Sequence, residues 1–242
     1  MNGSKLIDLR DCQNFEYQRI FQNVDRIRWE MHGFLAHWAF RVFGKAHKLK
    51  LYCWSRQWEY PWAVLNADLF PGLVILDAGC GASPLLPYLA WNWKNLSLYG
   101  VDIGEDPKAH IPLKLKLLKV LGYVQAEGYH PALDTRIHFR QECLSKMSFN
   151  DGFFDRVFCI SVLEHIPIEI QSRAIQEMSR VLKPGGRLVI TLDLPKDEPP
   201  APCNIVRSSG LQLMGSLDYS VNRAIRHGHN YEVAGLVLKK LS

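Results

Sequence analysis

Between Leu73 and Leu192 the chain alternates short apolar runs with helix-patterned stretches, and this alternation restricts it to α/β architectures. The runs at 73–78, 96–103, 136–140, 154–161 and 187–192 are rich in Val, Ile, Leu and Phe rather than alternating apolar with polar residues. Such strands are covered on both faces, as in a parallel sheet. Two later runs, 211–217 and 231–239, extend the series. Helical spacing appears at 84–92, 112–126 and 168–182, and more weakly at 203–209. The third of these follows Pro167, carries Ile168, Ile175, Met178, Val181 and Leu182, and stops at "KPGG". With right-handed crossovers, the order of elements predicts a doubly wound sheet.

The segment before the sheet has a different texture. Residues 1–66 are aromatic and helix-like, with Trp29, Trp38, Trp54, Trp58 and Trp62 set among basic residues. They are expected to form a helical cap serving substrate recognition, with the sheet domain spanning 67–242. A charged fraction of 22% and a hydrophobic fraction of 48% are those of an ordinary globular protein. The net charge of +5 is not concentrated in any block, so nucleic-acid binding is permitted but not indicated. No apolar stretch approaches the ~20 residues of a membrane span, and the first residues lack a signal-peptide core. Six scattered cysteines contain no Cys-x-x-Cys pair. A cytoplasmic protein is the expectation.

The chemistry is expected at "VILDAGCGASPLL", residues 74–86, where a strand enters a glycine turn and Ser83 and Pro84 open a helix. Glycines let the backbone approach a ligand, and a helix N-terminus offers unpaired N–H groups. Asp102 ends the next strand about 20 residues on, at the separation of a ribose-binding carboxylate; its bland reading is a cap for the following loop. The dinucleotide pattern G-x-G-x-x-G/A fails at Pro84, and Asp77 sets a charge just before the glycines. Negative charge disfavours a pyrophosphate and favours a sulfonium or ammonium group.

The segments "VILDAGCGAS", "LYGVDI", "FNDGFFDRVFCISVLEHIP" and "VLKPGGRLVITL" occur in the order, and at the spacing, of the motifs of a known family. Over about residues 70–192 the chain resembles the class I S-adenosylmethionine-dependent methyltransferases, especially the type 11 group. The resemblance implies a seven-stranded, mostly parallel sheet of order 3-2-1-4-5-7-6 with the last strand antiparallel. It places Asp77, Gly79 and Gly81 around the methionine part of S-adenosylmethionine, Asp102 on the ribose hydroxyls and Ile103 against adenine. Glu142, with Cys143 beside it, stands where the family has an acidic residue facing the adenine amino group, although the family more often has aspartate there. Ser161 opens the loop after the fourth strand, where cofactor and acceptor meet.

His165 in that loop can serve as a base for a hydroxyl acceptor or can simply order the chain before Pro167. Arg56, Trp58 and Tyr60 in the cap can reach over the cofactor, Arg56 toward the methionine carboxylate, or can pack against the sheet. "HGH" at 227–229 lacks the further ligands of a metal site and reads as a turn. Residues 34–43 fit a core-facing helix as well as a membrane-surface one. The expected activity is O- or N-methylation of a small molecule, such as a sugar or secondary metabolite. The competing readings are an RNA methyltransferase, a non-catalytic adenosyl-cofactor-binding protein and an NAD-linked oxidoreductase, the last opposed by Asp77 and Pro84. The oligomeric state is not legible.

Overall fold

The structure is a computed structural model, and the residues described are 3–28, 55–104, 136–195, 201–216 and 231–241. Eight strands, β1 (Lys5–Leu6), β2 (Val74–Ala78), β3 (Ser97–Asp102), β4 (Ile137–Gln141), β5 (Phe154–Ile160), β6 (Leu182–Pro195), β7 (Gln212–Leu213) and β8 (Tyr231–Lys239), form one sheet. The helices are α1 (15–28), α2 (Arg56–Asn66), α3 (Leu85–Asn92), α4 (Ile168–Val181) and α5 (Ala201–Ser209). Strands β4, β3, β2, β5 and β6 lie side by side and parallel, and β8 joins β6 antiparallel.

The expected order and the antiparallel final strand are found, with one difference at the edge. The outer side of β8 is shared: β7 pairs with Leu238 and Lys239, while β1 pairs with Ala234 and Gly235. Among the described residues the sheet therefore has eight strands rather than seven. Two residues cannot display an alternation, which is why β1 leaves no sequence signal. Strand β6 is also longer than expected, because the chain pairs with β5 on both sides of "KPGG". Phe154 faces Leu182 while Arg156 faces Arg187, so the extra residues bulge out. Gly185, at φ +76°, makes that turn.

Each inner strand feeds two cores. Leu76, Val157 and Leu188 pack with Ala174, Ile175, Met178 and Val181 of α4 and with Ile205 of α5. Ile75, Phe158 and Val189 pack on the opposite face with Ile20, Val24 and Ile27 of α1, Trp58 and Trp62 of α2, and Leu85, Leu86 and Leu89 of α3. Ile168, expected on the apolar stripe of α4, is instead 75% exposed, one turn short of where the helix meets the sheet. Lys240 closes the other end of α4 by donating from Nζ to the carbonyls of Ser179 (2.9 Å) and Leu182 (2.8 Å).

The described part of the N-terminal segment is thus built into the sheet and its core. Trp58 and Trp62 stack with ring centroids 5.2 Å apart, and Trp62 lies flat on β8 at Gly235, where a Cβ would meet its ring at 2.6 Å. Pro61, inside α2, cannot bond the carbonyl of Gln57; the thiol of Cys12 lies 3.8 Å from that oxygen. Trp29, Trp38, Trp54, the helix expected at 112–126, residues 34–43 and the 227–229 turn lie outside the described residues. Among the described residues no helix is long and apolar enough to cross a membrane.

Candidate functional site

The parallel strands β2, β3, β5 and β6 present their carboxyl ends on one rim, the position where open α/β sheets take ligands. Three of the four carry an aspartate within their last three residues: Asp77, Asp102 and Asp193. The glycine turn follows β2 directly. Gly79 (φ +77°) and Gly81 (φ +42°) both hold left-handed backbone that costs other residues roughly 1 kcal/mol or more. Gly79 and Cys80 donate their N–H groups to the Val101 carbonyl at 2.7 and 3.0 Å, fastening the turn to β3. A Cβ on Gly79 would sit 2.6 Å from both Cγ atoms of Val162, so this position of the turn has no room for a side chain.

Asp77 is 2% exposed, and burial pushes its carboxyl up to about 7, against an opposing pull from Arg56 and a further push from Asp102. Its Oδ2 is buried and has no hydrogen-bond partner among the described residues. An ionisable oxygen in that state is costly unless something charged or hydrogen-donating meets it. Ser83 accepts the Leu85 N–H at 3.1 Å and stands 3.5 Å from the Tyr60 hydroxyl; α3 opens one residue later than expected, with Pro84 rather than Ser83 in the capping position.

Asp102 accepts the Gly81 N–H through Oδ2 and the Gly104 N–H through Oδ1, both at 2.8 Å. The loop-capping reading of Asp102 therefore describes a real interaction. It leaves the ribose reading open, since each carboxylate oxygen keeps a second lone pair. Ile103 beside it is 73% exposed at the rim. Glu142 donates its N–H to the Asp102 carbonyl at 2.9 Å, which brings it to the same rim, but both of its carboxylate oxygens accept from Ser148. Cys143 is exposed, and a hydrogen bond with Ser145 lowers its thiol.

After β5, Ser161 takes φ +49°, unusual for a residue with a side chain, and a single tight turn carries Leu163–His165. His165 is exposed and lies within electrostatic reach of Asp193. Glu164, which the sequence reading gave no role, accepts the Asp193 N–H at 3.2 Å. Burial pushes the Glu164 carboxyl up to about 7 and that of Asp193 up to about 6, the latter also raised by Glu59 and opposed by Arg56 and His165. One oxygen of each, Glu164 Oε2 and Asp193 Oδ1, is buried without a partner among the described residues.

From α2, Arg56 reaches toward Asp77 while its Nη1 bonds Glu59 at 3.1 Å, and its guanidinium lies 5.7 Å from the Tyr60 ring. Tyr60 thus stands near the glycine turn. Trp58, which could reach over the ligand or pack against the sheet, is fully buried and donates its indole N–H to Asp11 at 2.9 Å. A ring with no exposed surface contacts no acceptor, so Trp58 is a packing residue. Sequence reasoning missed Glu59 and Asp193. The available signals were a carboxylate inside the aromatic run "WSRQWEYPW", and a third strand-end aspartate matching Asp77 and Asp102. Among the described residues no group of His, Cys, Asp and Glu is arranged to hold a metal.

Residues 76–190 match the family model described as a methyltransferase domain. The chain is 28% identical over 185 residues to methyltransferase GfsG of Streptomyces halstedii, covering 72% of this chain and 56% of that protein. It is 30% identical over 121 residues to the ubiquinone biosynthesis O-methyltransferase of Pseudomonas paraeruginosa, covering 50% and 44%. The chain spans about half the length of the curated relatives it matches. Its fold is similar to the 1,6-didemethyltoxoflavin-N1-methyltransferase of Burkholderia thailandensis, with a TM-score of 0.55 and 16% identity over 84% of each chain. The family match, over just under half of the chain, and the sheet topology both agree with the resemblance to the class I S-adenosylmethionine-dependent methyltransferases.

Proposed function

We propose that the chain transfers a methyl group from S-adenosylmethionine to the oxygen or nitrogen of a small-molecule acceptor. The observation that carries this reading is Asp77: a buried carboxylate with an unpartnered oxygen, beside a turn in which Gly79 has no space for a side chain. A ligand bearing an ammonium group satisfies that oxygen and favours its ionised form, whereas a pyrophosphate would be repelled. In this reading Asp77, Gly79 and Gly81 hold the amino-acid part of the cofactor, with Arg56 at its carboxylate. Asp102 receives the ribose, Ile103, Glu142 and Cys143 flank the base, and Ser161 lies on the acceptor side.

Bound there, the cofactor supplies a methyl group on a sulfonium that is already activated toward attack. The residues of the chain then have to align the acceptor and exclude water, rather than generate an electrophile. His165 removes the proton of a hydroxyl acceptor, and the neighbouring Asp193 carboxylate stabilises the imidazolium that forms. A small acceptor is supported by the name of the ubiquinone relative and by the unconcentrated charge of the chain.

Calorimetric titration with S-adenosylmethionine, S-adenosylhomocysteine and NAD tests the cofactor. Heat with the adenosyl ligands alone is expected, and silence from both refutes the proposal. A panel of hydroxyl and amine acceptors with methyl-labelled cofactor, read by product mass, then assigns the acceptor. Methylation of RNA with a salt-sensitive shift, and none of small molecules, would transfer the activity to the nucleic-acid class.

A further inference from the structure

The geometry points to Glu59 as a positioning residue, through which helix α2 sets the shape of the glycine turn and of the loop after β5. The inference rests on the proposed cofactor reading and concerns a residue that touches no reacting atom. Glu59 is fully buried, with 0% of its surface exposed. Its Oε1 accepts the hydroxyls of Ser161 and of Thr191, the latter at 2.7 Å. Its Oε2 accepts the Ser55 hydroxyl at 2.8 Å and the Arg56 guanidinium at 3.1 Å. Four donors from α2, β6 and the post-β5 loop thus converge on one carboxylate.

Stability alone is a poor account of such a group. Removing a carboxylate from water costs several kcal/mol, and well-packed apolar side chains often replace buried ionic clusters without loss. What the carboxylate provides is a fixed geometry between elements distant in sequence. Ser161 holds its left-handed φ of +49° with its hydroxyl on Glu59 and its N–H on the Thr191 carbonyl at 2.9 Å. The next residue, Val162, is the one whose methyl groups fill the space above Gly79. Glu59 therefore fixes Ser161, Ser161 orients Val162, and Val162 limits where the glycine turn can lie. On its other oxygen the same carboxylate holds Arg56, whose charge acts on Asp77.

Amide hydrogen exchange on the ligand-free protein tests this without any ligand. Glu59→Gln keeps the size and removes the charge; Glu59→Asp keeps the charge but is one methylene too short to reach both sets of donors. Exchange at least tenfold faster at residues 79–83 and 161–165 is expected in both variants, with protection in β3 and β4 unchanged. A folded variant with wild-type exchange at both turns, or a uniform rise across the sheet, overturns the assignment. In a parallel titration the folded variants should bind S-adenosylhomocysteine at least tenfold more weakly than wild type. Absence of binding by the wild type would refute the cofactor reading alone, because the exchange measurement decides the role of Glu59 independently.

Discussion

Replacing Asp77 by Asn separates a ligand-binding carboxylate from a structural one. In the free protein burial lifts this carboxyl from 3.8 to about 7, so at pH 8 the fold carries an ionised group in a dry site. At roughly 1.4 kcal/mol per pH unit, that displacement bounds the destabilisation at about 4 kcal/mol. A carboxyl whose folded value is raised binds its proton more tightly in the folded state. Its contribution to stability is therefore greatest at low pH and declines as pH rises from about 4 to 7. Asp77→Asn has the same shape without the charge, so at pH 8 the ligand-free variant should melt several degrees above wild type, at about 2–4 °C per kcal/mol for a chain of this size. At pH 5, about one unit into that decline, the gap should narrow to about 1.7 kcal/mol, and the two melting temperatures should converge only below about pH 4. The same variant forfeits a charge-assisted hydrogen bond worth roughly 1.5–3 kcal/mol, which predicts S-adenosylhomocysteine binding about 10- to 150-fold weaker at pH 8. Thermal melts at both pH values and a calorimetric titration decide the matter. If Asp77→Asn is destabilised at pH 8, or binds the ligand as wild type does, Asp77 serves the fold and the argument fails.

Four further substitutions probe the rest of the rim. Asp102→Ala removes the acceptor for the Gly81 and Gly104 N–H groups as well as the proposed ribose contact, so adenosyl-ligand affinity should fall more than tenfold by titration. Gly79→Ala combines a positive φ with a clash against Val162 and should cost about 1–3 kcal/mol in chemical denaturation. Adding Val162→Ala should recover only the steric part. His165→Ala should leave cofactor affinity unchanged and slow transfer of labelled methyl to a hydroxyl acceptor; equal rates would reduce His165 to a loop residue.

Legibility followed the range of the interactions. Strands β2, β3 and β5 fall within about a residue of their expected bounds, because burial on both faces writes a continuous apolar run into the sequence. The glycine turn, Asp77 and Asp102 were legible for a related reason: a strand end, a turn and a helix start are local. Glu59 was not, since two of its partners stand 102 and 132 residues away and no periodicity connects them. The same limit applies to Trp58, where an aromatic near a rim and an aromatic inside a core have identical sequence neighbourhoods. Glu142 was singled out through the family resemblance, but its commitment to Ser148 depends on how the chain turns after β4.

The pairing of Lys5 with Gly235 has a consequence for the order in which this molecule assembles. Ser4 bonds the backbone of Val237, and Ile7 that of Val233, so residues 4–7 close onto a segment synthesised more than 200 residues later. A contact of that separation is slow to form and is made only after most of the loop-closure entropy has been lost elsewhere. During synthesis the edge of β6 must wait unpaired until 231–239 emerges, and residues 4–7 must wait with it. The seam along β8 is thus the last part of the sheet to close, and the interval before it closes is when the chain is most exposed to edge-to-edge association.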